Sequence, residues 1–317
     1  MPYELDNRLV IGVASSAVFD LSDSDAVFRS EGEEQYRKFQ EKNLDVPLPK
    51  GIAYPFIKRL LALNDLNSSD PLVEVVLLSR NDPDTGLRVM KTIEHYGLGM
   101  TRAIFMQGRS PYEYIPALNI SLFLSGHKPD VEAAIGLGHP AGQVLDSTFE
   151  DDEDDKTLRI AFDFDGVLAG DESESVMQSS GLIAFHDHEV KNVTQPHNPG
   201  PLKEFLVRIA KIQSIEESHK HNNPKYENRI RVSIVTARNA PSHERALKTL
   251  KSWGVMANDA FFLGGIEKGR VLGVLRPHIF FDDQSGHLKS ASAVAPSVHI
   301  PFGVVNQPKL VADETTP

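Results

Sequence analysis

The stretch FDFDGVL (162–168) sets two carboxylates, Asp163 and Asp165, two residues apart at the end of an apolar run. On a β-strand, residues i and i+2 point to the same face, so both acids share one side of the chain. Two like charges this close are costly unless a cation joins them, and oxygen donors suit a hard ion such as Mg²⁺. A second acidic pair, Asp282 and Asp283 in HIFFDDQ, ends another apolar run and offers further oxygen ligands. Thr236 closes a third run, SIVTAR, and Lys268 follows AFFLGGIE in a glycine-containing turn. In an open parallel sheet, ligands bind at the C-terminal ends of the strands, which is where these groups would gather.

The surrounding elements must therefore be strands with helices between them. LVIGVA, VEVVLLS, AIFM and SLFLS read as strands in the first half, and LRIAFDF, IRVSIVTA, AFFL and HIFFDD in the second. Between them, residues 86–97 and 244–254 have helical spacing and end in Gly, a usual helix stop. This alternation predicts an α/β fold: a Rossmannoid parallel sheet covered by helices on both faces.

The two sets also resemble each other. Ser79 aligns with Thr236, Gly108 with Gly265 and Ser125 with Asp282, all 157 residues apart. The first strands fit at 149, pairing Ala14 with Asp163 and Ser16 with Asp165, so a longer insertion is expected after the first strand of the second half. The pattern predicts an internal duplication. Ala14, Ser16, Pro111 and Ser125 stand in the first half where Asp163, Asp165, Lys268 and Asp282 stand in the second, which leaves the first copy catalytically empty. Its expected work is structural, or shaping the entrance for substrate. The expected boundaries are 1–149 for this half, 150–156 (EDDEDDK) for a solvated acidic linker, 157–305 for the catalytic half and 306–317 for a tail that is disordered at its end.

Composition narrows the class. The 317 residues carry a net charge of −11, which argues against a general nucleic-acid binder. There is no cysteine, so thiolate catalysis and Cys-ligated zinc are excluded. No apolar run approaches the roughly 18 residues of a membrane span, and the first residues lack a signal-peptide pattern. The expectation is a cytoplasmic protein without membrane partners; a homo-oligomer stays open.

The motifs, taken in order, resemble those of the haloacid dehalogenase superfamily: DxDGVL at Asp163–Leu168, a strand ending in Thr236, Lys268, and the acidic pair Asp282–Asp283. The resemblance implies a small cap, inserted at about 170–228, and a set of roles. Asp163 is the implied nucleophile, forming an aspartyl-phosphate. Asp165 is the implied general acid and then base. Thr236 and Gly166 are implied phosphate contacts, and Lys268 offsets the charge on the phosphoryl group and on Asp163. Asp163, Asp165 (through its backbone carbonyl), Asp282 and Asp283 are the implied Mg²⁺ ligands. Dehalogenation does not use the second Asp, so Asp165 favours phosphoryl transfer.

FIKRLLALN, GPLKEFL, IVTARNAPSHERALKTLKSWGV, FLGGIEKGRVL, RPHIFFDDQ and, in the first half, VASSAVFDL and GRSPYEYIPALNISLFLS resemble the cytosolic 5′-nucleotidase type I family over nearly the whole chain. That implies hydrolysis of nucleoside 5′-monophosphates, AMP or IMP, with Mg²⁺; the alternative is a phosphatase of the same superfamily acting on another small phosphorylated metabolite. Phe185, His186, His188, His197 and Asn198 are candidates for contacts with base or ribose, against readings as surface histidines of a cap loop or a zinc site. Arg238 is a candidate for reaching the phosphate or the cap, against helix-start contacts. His243 is expected to be solvated, Trp253 to lie in the core, and 218–229 to form a mobile loop.

Overall fold

A computed structural model describes residues 3–307. In the first half the strands are β1 (Leu9–Val13), β2 (Val73–Ser79), β3 (Arg102–Phe105), β4 (Ile120–Ser125) and β5 (Ala141–Val144), with helices α1 (Ser15–Val18), α2 (Ser22–Glu31), α3 (Glu33–Lys42), α4 (Tyr54–Ala62), α5 (Pro83–His95) and α6 (Lys128–Gly136). The second half has β6 (Leu158–Phe162), β7 (Ile230–Thr236), β8 (Asp259–Phe262), β9 (Ile279–Asp282) and β10 (Ser297–His299), with α7 (Glu172–Lys191), α8 (Lys203–Asn222), α9 (His243–Ser252), α10 (Lys268–Leu275) and α11 (Ser285–Ala291). Local chemistry explains several boundaries. At α5, Asp82 accepts from the N–H groups of Asp84 and Thr85, and Pro83 fills the first helical position, where no N–H is needed. Every residue of β1 and β2 is buried, as expected where helices cover both faces of a parallel sheet.

The strands form one sheet in the order β3-β2-β1-β4-β5-β10-β9-β6-β7-β8. Read outward from the seam, each half has the same order. All neighbouring pairs are parallel except β5 with β10, which is antiparallel, with Val144 opposite Val298. The strands of the first half therefore run opposite to those of the second. Their C-terminal ends lie on opposite rims, so the first half's strand-end loops do not frame the entrance to Asp163, as one of the two expectations had it.

The halves share more than strand order. A glycine joins two helical segments after the first strand of each: Gly32 between α2 and α3 (φ 83°, ψ −176°), and Gly181 inside α7 (φ 79°, ψ −179°), 149 residues later. Gly51 and Gly200 keep the same spacing, and both lie hard against backbone. The eight extra residues of the second half thus fall after Gly200, in α8 and the turn before β7. Phe205, Leu206, Ile209 and Ile212 of α8 belong to the main core, whereas no residue of α7 does, so α7 is the helix of the expected cap that stands apart from it. Residues 218–222 are helical, and the turn after them is fastened: Tyr226 Oη donates to Glu216 (2.6 Å), and the N–H groups of Arg229 and Ile230 donate to the same carboxylate (2.8 and 3.1 Å).

One apolar core, on one side of the sheet, contains residues of both halves, among them Ile11, Val75, Phe162 and Phe281. Two smaller cores lie on the other side, one in each half. The acidic segment 150–156 is not simply solvated. Arg59, itself buried, donates to Asp151 Oδ2 (3.0 Å) and to the carbonyls of Asp152 (2.6 Å) and Asp155 (3.0 Å). Asn306, the first residue of the expected tail, belongs to the fold and donates to the carbonyl of Asp283 (2.9 Å); the end of the tail, VADETTP, lies outside the described residues. Trp253 packs against the main core, whereas His243 is half-buried with its ring against Phe262 (5.5 Å). Among the described residues no helix is long and apolar enough to cross a membrane.

Candidate active site

Asp163 follows β6 directly, and its backbone N–H donates to the carbonyl of Phe281 in β9 (2.8 Å). Lys268 opens α10, and its ammonium sits 2.9 Å from Asp163 Oδ2 and 2.7 Å from Asp282 Oδ2. All three side chains are buried. Burial opposes the charge on Lys268, but the two carboxylates outweigh it and raise its pKa. Burial raises the Asp163 carboxyl to about 6, against the pull of Lys268. Thr236 ends β7, and its hydroxyl oxygen accepts from the N–H of Arg238 (3.2 Å), which leaves the hydroxyl proton free for a ligand.

The two acids of the second pair have different surroundings. Asp282 is committed: Lys268 holds one oxygen and the N–H of Gln284 (2.8 Å) the other, with His287 at 3.3 Å. Asp283 is nearly as buried, yet its Oδ1 has no hydrogen-bond partner. Burial, followed by the charges of Asp163 and Asp282, pushes its carboxyl up to about 9. Gly166 (φ +71°) faces this carboxylate so closely that a Cβ there would meet Asp283 Oδ2 at 2.3 Å. A buried, unpartnered carboxylate beside a second one is the donor set of a hard cation, and a divalent ion fits this cradle. Asp163, Asp282 and His287 also bring one ligand atom each within 4.8 Å. Both oxygens of Asp282 already accept hydrogen bonds, whereas Asp283 Oδ1 accepts none.

Arg238 joins Asp165 to the expected cap. Its Nε and Nη2 donate to the two oxygens of Asp165 (2.6 and 2.5 Å), and Nη1 donates to Glu189 of α7. His197 is neither a surface residue nor free for a base: it is buried, 2.8 Å from Thr249 Oγ1 and 3.0 Å from Glu189 Oε2. His188 lies 3.2 Å from Glu189, and Phe185 places its ring over Arg238. Asn198 is exposed and donates to Glu172 (2.9 Å), while His186 is half-buried with Nδ1 unpartnered. Among the described residues, no metal-competent cluster includes His186, His188 or His197. Sequence reasoning missed Glu189, Arg245, Thr249 and His287. Arg245 and Thr249 had a detectable signal, because Arg88 and Thr92 precede them by 157 residues.

A family model described as 5′-nucleotidase matches residues 1–307. Among curated proteins, human cytosolic 5′-nucleotidase 1B is 34% identical over 296 residues, which cover 92% of this chain and 48% of that protein. The chain thus spans about half the length of the relative it matches. No solved structure matches it.

Proposed function

The chain belongs to the 5′-nucleotidase family, and from that premise we propose that it hydrolyses nucleoside 5′-monophosphates, AMP or IMP foremost, to nucleoside and phosphate. The observation that carries this reading is the convergence of Asp163, Lys268, Asp282 and Asp283 at adjoining strand ends, beside Thr236, in the second half alone. An oxygen of Asp163 attacks phosphorus while the bond to the ribose 5′-oxygen breaks, and that oxygen takes a proton from Asp165. Asp165 then takes a proton from water, whose oxygen displaces Asp163 from the aspartyl-phosphate. Lys268 keeps Asp163 ionised in a buried site and, with Thr236 and the backbone at Gly166, receives the phosphoryl oxygens. Asp163, Asp283 and the carbonyl of Asp165 would hold Mg²⁺, with Asp282 fixing Lys268 beside them. When bound, the ion offsets the charge that builds on the phosphoryl group.

Phe185, whose ring lies over Arg238, and its neighbour His186 on α7 are the proposed contacts for base or ribose. The matching strand order and glycine positions support descent of the two halves from one duplicated unit, the first having lost its carboxylates. Phosphate release from nucleoside monophosphates and sugar phosphates, with Mg²⁺ and with EDTA, tests the reading. Metal-dependent release confined to nucleotides is expected. Release from sugar phosphates alone would replace the substrate class and keep the mechanism.

A further inference from the structure

Arg238 is the centre of a buried charge network that the phosphatase reading does not yet use. Two of its nitrogens grip Asp165; the third, Nη1, donates to Glu189 and to the carbonyl of Ser242 (3.2 Å). Its guanidinium lies between the rings of Phe164 (5.1 Å) and Phe185 (5.2 Å). Glu189, fully buried, is held in turn by Arg245 (2.9 Å), Ser173 (2.8 Å) and His197 (3.0 Å). Burial opposes the charge of Glu189, but His197 and Arg238 outweigh it and lower its pKa. Asp165 is thereby connected, through one guanidinium, to the helix that overhangs the site.

The first half provides an internal control. There Arg88 Nε donates to the carbonyl of Val46 (3.0 Å), as Arg245 Nε donates to Gln195 (2.9 Å). Arg88 Nη1 donates to Gln40 (3.1 Å), as Arg245 Nη1 donates to Glu189 (2.9 Å). The N–H of Leu48 donates to Thr92 and that of His197 to Thr249, both at 3.1 Å. The N–H of Asn81 donates to Ser79 (3.1 Å), as that of Arg238 donates to Thr236 (3.2 Å). The scaffold of the network is thus present in both halves. What differs is the part that faces the chemistry: Asp165, Arg238, Glu189 and His197 are replaced by Ser16, Asn81, Gln40 and Leu48. A need of the fold alone would be met by the version with Asn81 and Gln40, since that half folds with it.

We infer that Arg238, anchored by Glu189, is a positioning residue that aims the Asp165 carboxylate at the leaving oxygen. A bidentate guanidinium fixes both the position and the plane of a carboxylate, which a lysine ammonium cannot do. For Asp165 to pass a proton to the leaving oxygen, one of its two bonds to Arg238 opens while the other keeps the group in place. This inference rests on the phosphatase reading, and it makes Arg238 act through Asp165 rather than by binding phosphate.

The test compares two leaving groups in the presence of Mg²⁺. A ribose 5′-alkoxide is a poor leaving group that needs its proton; p-nitrophenolate leaves without one. Arg238→Ala and Arg238→Lys are expected to lower kcat for AMP by about 100-fold or more, the usual range for a lost acid–base group, with KM little changed. With p-nitrophenyl phosphate, the first-turnover release of p-nitrophenolate, which precedes the water step that also uses Asp165, should fall by less than about tenfold. In an Asp165→Asn background, Arg238→Ala should cost almost nothing further, because the two act as a unit. Glu189→Gln, which keeps shape, should give a smaller loss of the same pattern, and it serves if Arg238→Ala does not fold. A loss of p-nitrophenolate release as large as the loss with AMP, additive losses in the double variant, or a raised KM at unchanged kcat would each overturn the positioning role. If the unaltered protein releases phosphate from neither substrate, it is the phosphatase reading that fails; if it releases phosphate only from p-nitrophenyl phosphate, the nucleotide substrate fails and the double-variant cycle on that ester still decides the role of Arg238.

Discussion

Asp163, Asp165, Thr236, Lys268, Asp282 and Asp283 were readable as a group because each chemical type stands at a strand end or in the turn after one. Glu189 and His197 were not, since nothing in their local spacing shows that they meet Arg238; only the folded chain brings α7 over β7. The different surroundings of the two acids of the second pair were equally hidden, because they depend on which one Lys268 reaches. Replacing Asp163 with Asn should abolish turnover and leave the melting temperature within a few degrees; substantial residual activity would remove it as nucleophile. Asp283→Asn removes a carboxyl that folding forces to take up a proton at neutral pH, so the metal-free protein should melt at a higher temperature, while the stabilisation given by Mg²⁺ should vanish. Thermal melts with and without the ion decide this, independently of activity. Ser16→Ala and Ser125→Ala should retain kcat, although Ser125 Oγ donates to Asp130 (3.0 Å) and accepts from the N–H of His127 (3.0 Å), so a stability loss of about 1 kcal/mol is expected there.

The helices α5 and α9 and eight of the strands followed from periodicity, apolar runs and glycine stops. Ala141–Val144 (AGQV) and Ser297–His299 (SVH) escaped because they lack the apolar run that marks the equally short Arg102–Phe105, Asp259–Phe262 and Ile279–Asp282. They are nonetheless the strands that join the halves. The two-part helices turn on Gly32 and Gly181, whose backbone conformation is essentially reserved for glycine. Alanine at either position should destabilise the protein by about 1–3 kcal/mol. Only Gly181→Ala should also lower kcat, because it shifts the segment that carries Glu189; denaturant melts and kinetics on both variants separate the effects. Between the linker and β9, His278 is buried, and its Nδ1 accepts from the N–H of Arg159 (3.0 Å). Burial, then Arg59 and Arg159, push its pKa down to about 3, from an ordinary 6.5. The unfolded chain therefore gains this proton first on acidification, and the stability tied to neutral His278 declines as pH falls from 6.5 towards 3. The fall in melting temperature between pH 7 and pH 4.5 should be shallower in His278→Gln than in the unaltered protein.

At the scale of the molecule, the alternation of elements announced the parallel sheet, and the repeated spacing announced two like halves. Their opposed direction could not be read, because the polarity of the seam is set by how β5 and β10 pair. The core that spans both halves means that neither half closes its own apolar surface. Residues 157–307 expressed alone should lack a cooperative thermal transition; a sharp, reversible melt would show that the halves are independent. The opposed rims have a practical corollary. A cleft of about 300 Å³ near Ser16 and His127 lies on the rim away from Asp163, and α2 begins beside it. The chain contains no cysteine, so Ser30→Cys on exposed α2 would introduce a unique thiol. Coupled to a solid support through that handle, every immobilised copy would present its catalytic mouth to the flowing solution.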